Sequence, residues 1–453
     1  MMTKGMAFWG LNLILLLFCA SWVFAEDLLP EPGKPLTLDQ VRAIALKFHP
    51  SLVANKETVI ANKTLVEQAL AAYYPQLNLN NSYTALTTNF STSPLASTPT
   101  GGGAALPIST PDRYRWTFTN IVSTGLVATQ TLYDFGRTSN TVKINQENVV
   151  SSQENVSITR LTVILNVDQA FYGVLLNMRL IKVAEDAVAQ TNQHLEQARG
   201  FYQAGTQPKI YVTNAEVAFA NAQLALIQAR NNYQVAQVTL NTAMGLRQDL
   251  QYEIEDSLDY KPRQITLEEI LNTAYVKRPE LLQFKALERG QEATIKLAKA
   301  SYYPILSGNA SYLWRSTGFD QTFYWDWFLG ASLNFPLFSG FSTPAQIDQG
   351  KATLRSLQAQ EENTKLSIRL EGEQAYLGLK LADEQIRVTE KAVVQAQENY
   401  DLASGRYQVG VGSPLEITDA EVSLATARAN YIQALFNYKV GEARIEKAMG
   451  SFR

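Results

Sequence analysis

Two segments of this chain each occur twice, and this duplication constrains the fold more than any other feature. Residues 37–84, from TLDQVRAIALKFHPSL to AAYYPQLNLNNSYT, match residues 266–313 at 15 of 48 positions with a constant offset of 229. Residues 198–245 match residues 403–450 at 20 of 48 positions with an offset of 205. A tandem duplication of this kind indicates two copies of one supersecondary unit, so the fold is interpreted as a repeat.

The first 25 residues are typical of a secretory signal peptide. Lys4 supplies the positive charge, Leu11–Phe18 forms the apolar core, and a small-residue cleavage site ends at Ala25. An uncleaved membrane anchor is the alternative interpretation. Cleavage after Ala25 would remove Cys19, which is the only cysteine, so we expect no disulfide and no thiol chemistry in the exported protein.

The composition argues against several classes of protein. The sequence has 39 basic and 42 acidic residues and a net charge of −3, which gives no support to nucleic-acid binding. His49 and His194 are the only histidines and lie far apart, so neither a histidine metal site nor a catalytic triad is expected. We predict no enzyme activity, no metal and no cofactor. After the leader, no stretch approaches 18 uninterrupted apolar residues, so any membrane insertion is expected to use strands.

Each copy is predicted to contain a helix, two strands and two further helices. The first structural repeat covers 26–245 and the second covers 266–450, and a linker or equatorial segment at 246–265 joins them. The predicted helices lie at about 37–72, 137–203 and 211–245, and again at about 266–301, 341–408 and 414–449. The two long helices have no interior proline and are about 100 Å long at 1.5 Å per residue. Helices of this length usually pack side by side as coiled coils.

The predicted strands lie at about 75–90, 114–133, 304–317 and 324–338. They alternate apolar and polar residues, with aromatic residues toward their ends, which is typical of outer membrane strands. A soluble sheet with one buried face is the alternative. Four tryptophans suit a membrane-interface belt, with core packing as the alternative: Trp116, Trp314, Trp325 and Trp327.

Four strands cannot close a barrel, and lipid tolerates no open strand edge. The smallest membrane barrels have eight strands, so several protomers must each contribute four strands, and three protomers would give twelve. The loop at 89–112 is rich in Ser, Thr, Pro and Gly, and it holds the 24 residues by which the first copy exceeds the second. We expect this loop to lie outside the cell.

The order of these elements and several motifs resemble the TolC-like outer membrane efflux proteins, the outer membrane factors of tripartite export systems. The resemblance covers 37–450. It is carried by the duplicated unit, by YYP junctions at Tyr73–Pro75 and Tyr302–Pro304, by the YDFGRT and FSGFST segments at 133–138 and 338–343, and by the paired YQxG turns.

The resemblance implies a mainly α fold with a membrane β-barrel, in which a homotrimer forms a 12-stranded barrel continuous with a long periplasmic α-helical barrel. It implies a passive exit duct in the outer membrane of a Gram-negative bacterium, with a large periplasmic part. Such a duct serves efflux or type I secretion with a periplasmic adaptor protein and a proton-driven or ATP-binding cassette pump. A non-conducting, outer-membrane-anchored coiled-coil protein of the periplasm is the alternative. We expect the exported substrate to be a drug, a metal ion, a protein or a polysaccharide, and the residues favour none of these four.

The resemblance also implies a periplasmic gate on the last hairpin. The two acidic positions of the family's entrance fall on Glu416 and Asp419, and the family's gate tyrosine falls on Tyr407. Helices around a three-fold axis would bring these acids into rings that favour cations. The alternative is that both acids are ordinary solvated residues near a helix N-terminus, where negative charge is stabilised, and that Tyr407 packs between helices. The family's arginine partner falls on Gly412, which predicts that this bridge is absent.

The resemblance further implies that the turns of both hairpins dock the adaptor. In the first hairpin, the position that corresponds to Asp419 is occupied by Asn214. The predicted docking residues are Gly205, Thr206, Val409, Gly410, Val411 and Gly412.

Overall fold

The computed structural model describes residues 35–87, 118–246, 252–316 and 322–452. The predicted signal peptide, Trp116 and the loop at 89–112 lie outside the described residues.

The described chain contains eight helices longer than one turn and four strands. In the first half they are α1 Leu38–Phe48, α2 Pro50–Leu70, β1 Gln76–Thr87, β2 Phe118–Tyr133, α3 Arg137–Gln203 and α4 Lys209–Met244. In the second half they are α5 Leu267–Lys277, α6 Pro279–Ala300, β3 Ile305–Ser316, β4 Tyr324–Asn334, α7 Ser342–Gln408 and α8 Pro414–Ala448. A short 3₁₀ turn, Ala71–Tyr73, joins α2 to β1. The two halves have the same order of elements, as the sequence repeats predict.

The prediction of one unbroken helix at the start of each repeat is wrong. The helix expected over 37–72 is split at His49, and the helix expected over 266–301 is split at Arg278; both residues have extended backbone angles. Each precedes a proline, Pro50 or Pro279, and the proline ring disfavours the helical conformation of the residue before it. The duplication therefore preserves a break in the helix.

Each break packs against the end of the last helix of its own repeat. Gly245 follows α4 with φ +76°, and a Cβ atom there would lie 2.8 Å from the His49 Cα atom. Gly450 follows α8 with φ +75°, and its Cβ atom would lie 3.1 Å from the Arg278 Cα atom. A glycine is needed at both positions because the left-handed backbone and the close approach each exclude a side chain.

The helical core contains a buried ion pair. Arg42 of α1 donates two hydrogen bonds to Asp168 of α3, with Nε–Oδ1 2.8 Å and Nη2–Oδ2 2.7 Å. Asp168 is fully buried. Its neighbours Val167 and Phe171 belong to the main apolar cluster, a set of packed buried side chains that also includes Ile44, Leu175 and Tyr438. Bidentate pairing compensates the carboxylate for its lost hydration. This contact fixes the short first helix against the long third one.

The linker between the repeats is held against the helices. Ile254 forms a parallel bridge with Leu36, and the carboxylate of Asp256 accepts two hydrogen bonds from Arg179. The Tyr438 hydroxyl of α8 accepts a hydrogen bond from the Arg263 backbone N–H at 2.9 Å and donates one to a linker carbonyl. The described part of this segment is therefore an ordered strap.

The four strands form one antiparallel sheet in the order β1-β2-β3-β4. The central pairing, β2 with β3, joins the two halves of the chain and runs from Val122↔Ser316 to Tyr133↔Leu306, with a register shift between Thr131 and Tyr133. Within the described residues, β1 and β4 each pair along one side only. The sheet is thus left with two unpaired edges.

The strand register separates two different faces. One row across the sheet joins Leu79, Leu126, Tyr312 and Trp327. These side chains are exposed, as are others on the same face: Leu77, Trp325, Leu329 and Leu333. The opposite face carries Asn78, Asn80, Ser307 and Asn309, the polar positions of the alternation pattern.

Hydrogen bonds and an ion pair connect neighbouring strands on the polar face. Ser82 and Ser123 share a hydrogen bond of 2.7 Å between β1 and β2, and Arg315 lies 3.8 Å from the Asp326 carboxylate between β3 and β4. The soluble-sheet alternative requires a buried apolar face, and in this chain that face is exposed.

Two compact units make up the chain. One comprises the described residues of 1–57, 154–282 and 362–453, and the other comprises those of 58–153 and 283–361. The first unit contains the helical core, both hairpin turns and the linker, and the second contains the sheet. Each unit draws on both repeats, so the compact units do not follow the repeat boundaries.

One window of 18 residues in α3 is long and apolar enough to cross a membrane, judged by length and composition among the described residues. Inside the structure 44% of this window is buried. The apolar residues of α3 include Val163, Val167 and Phe171, which pack in the main cluster.

Replacing Gly245 with alanine tests the helix-end contact. We expect Gly245→Ala to lower the free energy of unfolding by at least about 1–2 kcal/mol, because the left-handed backbone alone costs that much with a Cβ atom. The control is Gly200→Ala inside α3, where a Cβ atom meets nothing within 4 Å and where alanine should stabilise the helix by about 0.5–1 kcal/mol. Denaturant unfolding of the purified protein measures both, and equal effects would contradict the contact.

Candidate functional site

The turn between α7 and α8 closes the second hairpin with three backbone hydrogen bonds. The Gly410 N–H donates to the Tyr407 carbonyl at 3.0 Å, and the N–H groups of Val411 and Gly412 both donate to the Arg406 carbonyl. Gly410 has φ +80°, the usual geometry for ending a helix. Ser413 then caps α8 by accepting a hydrogen bond from the Leu415 N–H.

The turn between α3 and α4 has the same construction. The Gly205 N–H donates to the Tyr202 carbonyl at 2.9 Å, the Thr206 N–H donates to the Phe201 carbonyl at 3.0 Å, and Gly205 has φ +75°. The offset of 205 therefore relates two turns of equal geometry. All of Gly205, Thr206, Val409, Gly410 and Val411 are exposed and Gly412 is partly exposed. The structure thus places every predicted docking residue at a hairpin tip.

Glu416 and Asp419 lie on the first turns of α8 and are exposed. Glu416 forms an ion pair with Arg406, at 3.5 Å between Oε2 and Nε. Both side chains of this pair are at least half exposed, so the pair adds about 0–1 kcal/mol of stability at most. Its effect is to place a positive group beside one of the two predicted gate acids.

Gly412, which stands at the family's arginine position, has no room for a side chain in this turn. A Cβ atom there would lie 2.7 Å from the Tyr407 backbone nitrogen and 2.9 Å from the Arg406 carbonyl carbon. An arginine is instead found on the other side of the turn, where Arg406 pairs with Glu416. Sequence reasoning missed Arg406, although its position directly before Tyr407 was a usable signal.

Tyr407 is fully buried, with its ring packed edge-on against two residues of α3. The ring centroids lie 4.8 Å from His194 and 5.6 Å from Phe201, and the hydroxyl lies 3.5 Å from the Gln207 side-chain oxygen. Burial, followed by the nearby Glu421 carboxylate, raises the pKa of Tyr407. In this chain the tyrosine connects the two hairpins by packing.

The structure also reveals a buried polar pair that the sequence did not indicate. His194 of α3 and Glu421 of α8 face each other, with 3.6 Å between Nδ1 and Oε2. They are 3% and 4% exposed. The fact that His194 is one of two histidines was the only sequence signal, and without the fold it had no partner.

Three of the predicted interface tryptophans lie on the apolar face of the sheet. Trp314 and Trp325 are register partners on β3 and β4, and Trp327 is opposite Tyr312. The Tyr312 ring contacts Trp314 edge-on at 4.5 Å and stacks on Trp325 at 5.9 Å. Trp325 and Trp327 are 62% and 69% exposed, which excludes core packing for these two in the chain described.

A family model described as "Outer membrane efflux protein" matches residues 41–246 and 270–451. The chain belongs to the outer membrane efflux protein family. This is a family of outer membrane transport proteins and not of enzymes. The match includes α3, α4, α7, α8 and the four strands, so it covers both hairpins and the sheet.

Two curated relatives have names that agree with this family. The chain is 24% identical over 324 residues to TtgC of Pseudomonas putida, named a probable efflux pump outer membrane protein; the alignment covers 70% of this chain and 66% of TtgC. It is 22% identical over 351 residues to the outer membrane protein TolC of Escherichia coli, covering 73% of this chain and 70% of TolC. The chain thus spans slightly less than two thirds of the length of TtgC.

The fold resembles the crystal structure of VceC, an outer membrane protein from Vibrio cholerae. The TM-score is 0.74 with 18% identity, and the match covers 91% of this chain and 96% of VceC. At this identity the likeness supports the fold and carries no residue roles.

Placing a charge on the apolar face tests which side of the sheet meets lipid. We expect Leu329→Arg to reduce the folded protein in outer membranes strongly, because an arginine at mid-bilayer costs about 2–4 kcal/mol in such strands. Ser332→Arg, on the polar face of the same strand, is the matched control and should insert normally. The measurement is the protease-resistant protein recovered from the outer membrane fraction, and equal loss in both variants would contradict the face assignment.

Proposed function

We propose that three copies of this chain form an outer membrane channel-tunnel that acts as a passive exit duct for efflux or type I secretion. An energised inner-membrane transporter drives the export, and a periplasmic adaptor protein connects that transporter to the duct. The observation that carries the proposal is a four-stranded sheet with an apolar face, a polar face and two unpaired edges.

The unpaired edges of β1 and β4 require partners. In hydrocarbon, an unpaired backbone N–H or C=O group costs several kcal/mol, so spanning strands must close into a barrel. Because this chain supplies four strands, another copy must pair its β4 edge with the β1 edge. Three copies give 12 strands, with the apolar face toward lipid and the polar face toward water.

The strand length agrees with a membrane of ordinary thickness. β4 has 11 residues from Tyr324 to Asn334, which span about 36 Å at about 3.3 Å per residue. A tilt of about 45° reduces this to roughly 25 Å, which is the height of the apolar band in outer membrane barrels.

The long helices also present apolar surfaces that a single chain leaves exposed. On α4, Ile210, Val217 and Leu224 recur every seven residues and are each more than half exposed. On α7, Leu377, Leu381 and Val388 are likewise more than half exposed. Heptad stripes of this kind bury themselves against neighbouring helices, so we assign them to contacts between copies. The alternative, a non-conducting coiled-coil protein anchored in the outer membrane, would use the same contacts but would pass no ions.

The hairpin tips supply the entrance and the adaptor contact. Three copies of Glu416 and Asp419 around one axis would form a negative ring that attracts cations. The exposed Val409 and Val411, each about 70% exposed, together with Thr206 of the first turn, give the tips an apolar surface for an adaptor. Tyr407 supports the gate by packing between the two hairpins.

The trimer is tested by mass. We expect chemical cross-linking of the detergent-extracted protein, followed by native mass spectrometry, to give three times the mass of the mature chain. Leu224→Glu should shift the protein toward monomer, because it places a charge in the proposed contact. A monomer from the parent chain under mild extraction would contradict the closure of the barrel.

The gate is tested by single-channel conductance in planar bilayers. We expect Glu416→Ala/Asp419→Ala to reduce cation selectivity and block by multivalent cations, because the ring loses its charge. Glu216→Ala is the matched control: this acid is exposed on the first hairpin, and its loss should change selectivity little. Unchanged selectivity in the double variant would place both acids away from the pore. Absence of conductance in inserted parent protein would favour the non-conducting anchor.

A further inference from the structure

A buried pair of titratable side chains lies close to the hairpin tips and has no part in the proposed duct. His194 Nδ1 and Glu421 Oε2 are 3.6 Å apart, and both residues are at least 96% buried. None of the four polar atoms of the two side chains has a hydrogen-bond partner in the structure. A buried polar group without a partner is costly, so its retention calls for an explanation.

The pair connects the two hairpins. His194 comes from α3 of the first hairpin and Glu421 from α8 of the second, and Tyr407 of α7 packs edge-on against the His194 ring. Apolar clusters flank the pair on both hairpins: Leu195, Ala198, Val212 and Ala215 on the first, and Ala403, Tyr407, Ile417 and Ala420 on the second. The pair therefore lies within the contact between the two hairpins, near their tips.

The charge of this pair depends on how many protons it holds. With one proton its net charge is zero, whether the imidazolium faces the carboxylate or both groups are neutral. With two protons a cation is buried without a counter-ion, and with none a carboxylate is buried without one. A buried unpaired charge is far less favourable than a buried pair.

We propose that His194 and Glu421 form a proton-controlled latch, which holds the second hairpin against the first while the pair contains one proton and weakens when it gains or loses one. That weakening of the latch opens the periplasmic entrance rests on the proposed function; the latch itself does not.

The other titratable groups around the pair do not take over its role as the group that changes charge. Tyr407 and Tyr400 face it from α7, and Tyr211 of α4 lies near Tyr407. Burial and the Glu421 carboxylate raise the pKa of both Tyr407 and Tyr400, so their hydroxyls stay protonated through the range in which histidine titrates. Two charged side chains also affect the pKa of Tyr400: Asp401 of α7 raises it and Arg428 of α8 lowers it. Arg428 is hydrogen-bonded to Asp186 and Gln397.

Thiol labelling measures the latch directly. The reporter is Ala403→Cys in α7, at a position 6% exposed and packed with Tyr407, in a Cys19→Ala background that removes the only natural cysteine. The exported protein is labelled with a small methanethiosulfonate reagent in isolated outer membranes from pH 5 to pH 9. At each pH the rate is divided by that of the same reporter in a His194→Gln/Glu421→Gln background, which cancels the intrinsic titration of the thiol.

The expected profiles differ in sign between variants. The parent should label slowest at an intermediate pH and faster on both sides, by up to about tenfold per pH unit because one proton is exchanged. Glu421→Gln should keep only the acidic rise, since its lone histidine is charged at low pH. His194→Gln should show the opposite, with fast labelling at neutral and alkaline pH and protection at acidic pH.

Two further results decide the proposal even when a single variant folds poorly. A flat parent profile, or profiles of the same shape in both single variants, would overturn the latch. A second reporter is Ala382→Cys in the main apolar cluster, at a position that is 2% exposed. It should stay protected from labelling at every pH. If its labelling rises together with that of Ala403→Cys, the pair stabilises the whole fold and is not a latch. Conductance recorded at the same pH values separates the two proposals: a pH-dependent latch in protein without conductance would keep the latch and reject the duct.

Discussion

The unpaired edges of the sheet are the constraint on which the rest of this protein depends. Lipid offers no hydrogen-bond partner to the backbone of β1 or β4, so the chain cannot use its own strands without another copy. The apolar row Leu79, Leu126, Tyr312 and Trp327 has the same requirement, because no part of the described chain covers it. In the proposed trimer, three copies would satisfy both requirements at once, and the duct would be the space that such closure encloses.

The helical unit solves a different problem, which is to keep long helices in register without a broad globular core. The duplicated breaks at His49–Pro50 and Arg278–Pro279 let a short helix turn against the end of α4 or α8, where Gly245 and Gly450 admit the close approach. The Arg42–Asp168 pair and the strap around Tyr438 add fixed polar contacts. The same device, used twice, gives two hairpins whose tips share one geometry.

Near those tips the two hairpins differ in charge, and the contact between them contains the pair to which we assign the proposed control. The second hairpin presents Glu416 and Asp419, with Arg406 beside the first of them, and the first hairpin presents Tyr211 and Asn214 at the equivalent positions. Their contact contains His194 and Glu421, buried and facing each other. Exposed charges at the tip affect ions in solution, whereas a buried pair affects the stability of the contact itself, because burial removes the screening by water.

The order of the elements, the duplication, the alternation of the strands and the family could all be predicted from the sequence, since they depend on local patterns that repeat along the chain. The sequence also located the turn residues, because Gly205 and Gly410 are required by local backbone geometry. It did not predict the breaks before Pro50 and Pro279, where apolar periodicity concealed the effect of proline on the preceding residue. Three findings required the folded chain: Gly412 has no room for a side chain, Arg406 pairs with Glu416, and His194 faces Glu421. Each of these depends on side chains brought together from distant positions, whose distances no local pattern encodes.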